Sequence, residues 1–204
     1  MIVFFFLVSM TALAQSFEGR ITYANQYKSK MAGATDQQFT AIMGNTQDYF
    51  IRGGNYKSDL NGTFYQWQLY VNADNKLYSK VANSNTLIWS DGAVNSDSVI
   101  SAEIHRNVME VLGYRCDELI LKCKSGVQKY YFNTKLSVDP ALYEQHKYGN
   151  WFEFVSRSKS LPLKSIIDNQ QFTLTSVAVS VKEMKLDSAF FTLPPNVKTV
   201  KSAY

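Results

Sequence analysis

The chain has 204 residues, 14% aromatic side chains, 4 prolines and a formal net charge of +4, a length that suits one domain and a composition that suits pleated sheet. Its basic residues are scattered and never form a run, which argues against a nucleic-acid partner. Two histidines fall short of the usual zinc ligand set, so neither a metal nor a cofactor is expected.

Residues 1–14 read as a signal peptide: the apolar run Ile2-Val3-Phe4-Phe5-Phe6-Leu7-Val8 leads into Ala12-Leu13-Ala14, a small-x-small cleavage site. The apolar stretch is roughly a dozen residues, shorter than the ~20 of a membrane-spanning helix. Cleavage after Ala14 leaves 15–204 as a single exported domain, periplasmic or secreted, with no membrane span once the leader is gone. The alternation of Phe17, Gly19, Ile21 and Tyr23 with polar residues predicts a first strand. Between Thr35 and Asn45, a cap at Thr35 or Asp36, apolar Phe39, Ile42 and Met43, and the terminator Gly44-Asn45 predict a short amphipathic helix. Strands over 49–52 and 56–60 flank Gly53-Gly54-Asn55 as a hairpin, and 64–71, 76–81 and 86–90 continue it as a meander.

The loop-like stretch 91–98 marks no second domain. The run Val99 to Leu112 is ambiguous between helix and strand, while 113–123 and 127–133 form a hairpin across Lys124-Ser125-Gly126. Asp139-Pro140 opens a helical region ending near Lys159, divided in two at Gly149-Asn150. Strands over 161–167 and 172–186 follow, then a short helix at 187–191. In the last long strand Phe172 and Leu174 point one way, Val177, Val179 and Val181 the other, and Met184 and Leu186 return to the first side. Bulges produce such switching, and so does a strongly curved sheet filled on its concave side and packed on its convex side.

Reactive chemistry is sparse. Glu103-x-His105 and Glu144-x-His146 are the carboxylate–histidine neighbours, and Ser156-Arg157-Ser158-Lys159 matches S-x-x-K without its usual companion motifs. No nucleophile elbow, phosphate loop or dinucleotide fingerprint is present, so no enzymatic activity is expected. Asn61-Gly62-Thr63 fits a glycosylation acceptor, but beside a hairpin it reads as turn chemistry. Cys116 and Cys123, if on one strand, stand ~23 Å apart at ~3.3 Å per residue, which argues against a disulfide between them in the absence of a bulge or turn. Two buried thiols are expected instead. Trp67, Leu69, Trp89, Tyr130, Phe132, Trp151 and Phe154 are the candidate apolar lining of a ligand cavity.

Phe17-Glu18-Gly19-x-Ile21-x-Tyr23, Val111-Leu112-Gly113-Tyr114-x-Cys116, Tyr131-Phe132, Leu161-Pro162-Leu163-Lys164 and Phe190-Phe191-x-Leu193-Pro194, in this order, resemble a family of secreted bacterial envelope proteins of unknown function. That family is similar to the lipoprotein-localisation-factor superfamily. The resemblance implies an α+β fold that is mainly β with a few helices: a single, strongly curved antiparallel sheet, or half-barrel, with helices plugging the concave side. It further implies a non-enzymatic envelope protein that holds an apolar or lipidic ligand, or a lipidated protein, and carries it through the periplasm. The alternative is an interaction module of the envelope that binds another protein or a surface glycan and has no ligand cavity.

Overall fold

The computed structural model describes residues 16–203; the predicted leader and its cleavage site lie outside them. Twelve strands among the described residues form one open sheet: β1 (Gly19–Ser29), β2 (Thr46–Arg52), β3 (Asn55–Leu60), β4 (Tyr65–Val71), β5 (Lys76–Val81), β6 (Thr86–Asp91), β7 (Val99–Val111), β8 (Tyr114–Cys123), β9 (Val127–Ser137), β10 (Ser160–Asp168), β11 (Phe172–Glu183) and β12 (Lys198–Lys201). Two α-helices join them, α1 (Asp36–Met43) and α2 (Trp151–Ser158). No helix of the described residues is long and apolar enough to cross a membrane.

The strand order is β12-β6-β5-β4-β3-β2-β1-β11-β10-β9-β8-β7. One meander grows outward from β1 to β6, and a second runs back from β7 to β11, which pairs with β1. Every ladder is antiparallel except the last, where β12 joins β6 in parallel. That strand carries no alternating pattern, all four of its residues being exposed, and sequence periodicity does not reveal it. The ambiguous run at 99–111 is the edge strand β7, exposed along most of its length. An edge strand with one neighbour and no cover has no buried face to impose a period.

Register divides the side chains between two faces. Ile21 and Tyr23 of β1, Tyr49 and Ile51 of β2, Tyr56 of β3 and Tyr70 of β4 share one face. The segment between β9 and β10, which contains α2, lies on it, and α1 sits on the same face through Phe39, 6.4 Å from Tyr27 and 5.5 Å from Phe172. Phe50, Lys57, Trp67, Leu69, Tyr78 and Trp89 occupy the opposite face. There the C-terminal turn Ser188–Phe191 packs Phe190 against Phe50 at 4.9 Å and under the Lys57 ammonium. Both faces are therefore covered over β4 and β5, where Leu69 and Tyr70, and Leu77 and Tyr78, are buried in succession.

The phase change in β11 comes from one bulge. Thr22 pairs with Ser180 and Tyr23 with Ala178, so Val179 is the extra residue, 53% exposed. Before it Leu174, Ser176 and Ala178 share the helix-bearing face; after it Val181 does, opposite Ile21, so Val181 lies with Leu174 and not with Val177 as alternation predicts, and Met184 and Leu186 fall beyond the end of the strand. Cys116 and Cys123 both lie buried and unpaired on β8. Burial raises the pKa of both thiols, that of Cys123 to about 11.

Candidate ligand-binding site

The segment that crosses the sheet is built from short capped turns. Asp139 accepts from the Ala141 N–H and Pro140 starts the turn Pro140–Tyr143, which buries Tyr143. The amides of Lys147 and Tyr148 donate to the Gly92 carbonyl at 2.6 and 3.0 Å, tying the segment to the end of β6. Gly149 and Asn150 are both left-handed, with φ of 62° and 63°. This pair reverses the chain so that α2 begins at Trp151. Asn150 is fully buried, accepting from Asn95 and donating to the Cys123 sulfur. In α2, Trp151, Phe154, Val155 and Ser158 recur at helical spacing toward the sheet, while Glu153 and Arg157 pair on the outer side.

Phe154 stacks obliquely on Tyr130 of β9 at 4.4 Å and meets Phe132 edge-on at 6.2 Å. Trp151 lies 5.6 Å from Phe154, 5.7 Å from Tyr56 and 6.4 Å from Tyr49. Behind it, His146 stacks on Tyr70 at 3.9 Å with the rings 9° from parallel, and its Nε2 meets the Tyr56 hydroxyl at 2.8 Å. Burial drives the His146 pKa down to about 3, so the ring is neutral.

Between Trp151 and the sheet lies a cavity of about 200 Å³. Tyr23, Gln47, Tyr49, Leu174, Ser176 and Tyr130 contribute to its wall from β1, β2, β11 and β9, and Pro162, Ser165 and Ile167 from β10; among the described residues no charged side chain lines it. The Tyr23 hydroxyl donates to the Pro162 carbonyl at 2.6 Å. Burial holds the hydroxyls of Tyr23, Tyr49 and Tyr130 far above the usual phenol pKa, so each stays protonated.

Four of the seven candidate lining residues gather here: Trp151 and Tyr130 touch the cavity, and Phe132 and Phe154 pack beside them. Trp67, Leu69 and Trp89 are not brought to it, since register puts them on the opposite face. Trp89 lies there beneath the ammonium groups of Lys76 and Lys201. Alternation along β4 correctly groups Trp67 with Leu69 but does not say which face carries the crossing segment. Sequence reasoning misses Tyr23 and Tyr49, because a strand aromatic over a cavity has the same pattern as one in solid core.

The other motifs resolve structurally. His105 pairs with Glu118 at 3.1 Å and Glu103 with Lys122 at 2.7 Å on exposed β7, whereas His146 is buried and Glu144 exposed. The Ser156 hydroxyl is given to the Glu153 carbonyl, and Lys159 is the exposed left-handed residue closing α2. Asn61 accepts from the Thr46 amide and donates to Asn45, consistent with a turn. Among the described residues no cluster of three His, Cys, Asp or Glu could hold a metal ion.

No protein-family model matches the chain, and no curated protein matches it. Among solved structures, an uncharacterized conserved protein from Thermus thermophilus is similar at a TM-score of 0.48 and 8% identity, over 91% of each chain. PNGF-II is similar at a TM-score of 0.51 and 16% identity over 92% of this chain, which spans 32% of that one. At this identity, PNGF-II carries a likeness of fold alone.

Proposed function

We propose that this is an exported, non-enzymatic envelope protein that binds an apolar or lipidic molecule within a half-barrel, and that it is related to the lipoprotein-localisation-factor superfamily. The cavity under Trp151 carries this proposal: an apolar hollow floored by the sheet and covered by the crossing segment.

Two distances support a strongly curved sheet. β6 and β7 are ten ladders apart, ~48 Å on a flat sheet, yet the link from Asp91 to Val99 reaches at most ~28 Å. Likewise β3 and β9 are five ladders apart, ~24 Å when flat, but ring contacts of 5.7, 5.6 and 4.4 Å through Trp151 and Phe154 bridge Tyr56 to Tyr130. On such a sheet, α1 and α2 plug the hollow side.

The cavity is smaller than the ~300–1,000 Å³ of a drug-sized site, so it takes a compact group or the end of one acyl chain. Each buried methylene supplies ~0.8 kcal/mol. Delipidated protein incubated with envelope lipid extract is expected to retain lipid detectable by mass spectrometry, and Trp151→Ala to retain roughly tenfold less. Repeatedly clean spectra from the unaltered protein would refute binding.

The exposed edge favours a second function, docking of another envelope protein. Ile100 is 71% exposed on β7, and a polar groove of about 750 Å³ separates Val99–Ala102 from Glu153 and Arg157. In-cell cross-linking from Ile100 that traps one specific partner, unaffected by Trp151→Ala, would favour docking over carriage.

A further inference from the structure

We propose that the helix-bearing face of the sheet binds a neutral saccharide, free or as the head of a glycolipid, along a row of uncharged amide and hydroxyl side chains that leads out of the cavity. This rests on that face being the binding face and adds the chemistry of the part of the ligand outside the cavity.

The row comes from register. Ser176, Asn25, Gln47, Ser58, Gln68 and Ser79, one each from β11, β1, β2, β3, β4 and β5, share the helix-bearing face. Tyr49, Tyr56 and Tyr70 pack against Trp151 or His146 of the crossing segment, and the next residue on that face of each strand is Gln47, Ser58 or Gln68. On β1, Asn25 falls between Tyr23 at the cavity and Tyr27 beside Phe39 of α1. Gln47 and Ser176, with Ser165 of β10 opposite Ser176, also line the cavity, so the row and the hollow under Trp151 are continuous.

Charge is kept off this face. Among the paired residues of β1–β6, β9 and β10, no Asp, Glu, Lys or Arg falls on it, whereas Arg20, Asp48, Lys57, Lys80, Lys129 and Lys164 lie on the opposite face. Gln47, Gln68, Ser79 and Ser165 are only half-buried, and positions left facing water are ordinarily rich in charged residues. A wet face that carries amides and hydroxyls alone suits a guest without charge.

These side chains brace one another and keep bonding capacity in reserve. The Gln47 and Gln68 amides donate to the Ser58 and Ser79 hydroxyls at 2.8 and 3.1 Å, and the Ser176 hydroxyl donates to Asn25 at 2.6 Å. The carbonyl oxygens of both glutamines, the Asn25 amide nitrogen and the Ser165 hydroxyl have no partner among the described residues, and none of these atoms is sealed from solvent. A ligand can therefore reach them. Saccharide hydroxyls both donate and accept, as these amides and hydroxyls do. A phosphate or carboxylate would meet no cation on the row, and a hydrocarbon would cover its amides without bonding them.

Calorimetric titration of the full chain at pH 7 with octyl maltoside, octyl phosphate, octanol and maltotetraose, each below any micelle-forming concentration, tests this. Octyl maltoside is expected to bind at least about tenfold more tightly than octyl phosphate. Gln47→Met and Gln68→Met, which keep the side-chain length and remove the amide, are each expected to weaken saccharide binding by about five- to tenfold, one hydrogen bond's worth, and to leave octanol unchanged. Maltotetraose binding as tightly as octyl maltoside assigns the row to a free glycan; octyl maltoside binding without maltotetraose assigns it to a glycolipid head. Octanol binding with neither saccharide, octyl phosphate binding as tightly as octyl maltoside, or saccharide binding insensitive to both variants would overturn the row's role while leaving apolar binding intact. Maltotetraose binding without octanol would uphold the row and overturn the apolar cavity, and failure of every probe to bind the unaltered protein would overturn both.

Discussion

His146 shows how a single residue acquires its properties from its surroundings. It is 1% exposed, stacked on Tyr70 and faced by the Tyr56 hydroxyl, and burial depresses its pKa from 6.5 to about 3. The unfolded chain therefore binds a proton on this ring between those values and the folded chain does not. The resulting stabilisation is complete above pH 6.5 and is lost as pH falls toward 3, amounting to at most about 5 kcal/mol. Denaturation midpoints measured from pH 7.5 to 3 should fall across this window, and His146→Phe, which preserves a stacking ring, should flatten the upper part. An unchanged slope in the variant would rule out His146 as the cause. Glu18 and Asp168, whose carboxyl pKa values are lowered chiefly by hydrogen bonds to the Leu186 amide and to Lys30, add acid sensitivity only below about pH 4.5.

Among the elements, α1 illustrates a helix held by its ends. None of its residues is fully buried, so packing gives it little, and its start depends on a reciprocal capping box between Thr35 and Gln38. Thr35→Ala should cost about 1 kcal/mol, seen as roughly fivefold faster hydrogen exchange of the α1 amides, with the global midpoint scarcely moved. A large global loss would mean that α1 is an integral part of the cooperative core. At the other end Gly62 lies against the helix: a Cβ there would stand 2.4 Å from the Ile42 carbonyl oxygen and 2.6 Å from the Met43 carbonyl carbon. Both are backbone atoms, so Gly62→Ala should displace the C-terminus of α1 and cost about 1–3 kcal/mol. Much of this element is legible in the residues, because caps and terminators act within a few positions; the contact between Gly62 and the helix, some twenty residues away, is not.

For the molecule as a unit, the consequence of a sheet covered on both sides is that stability and binding separate by face. Phe191 is 4% exposed, in the turn that covers the face opposite the cavity. Phe191→Ala should lower unfolding stability by ~3 kcal/mol, measured by denaturant titration, and leave retained lipid per folded molecule unchanged. Loss of lipid in step with Phe191 would mean that the two faces are coupled. Of the seven aromatic and aliphatic lining candidates, those on β9 and α2 meet at the cavity and those on β4 and β6 do not. The distinction rests on which side of the sheet residues 138–159 cross.

The strand-dominated composition, the capped helix at Thr35, the division at Gly149-Asn150 and most strand positions are written in the residues themselves, because alternation, capping and turn chemistry are local. Folding in three dimensions was needed to establish that β12 pairs in parallel with β6, that the two meanders join through β1 and β11, and that Tyr49 and Trp151 share one cavity. Those outcomes depend on pairings between residues distant in the chain, for which a two-residue period records that a face is buried but not what buries it.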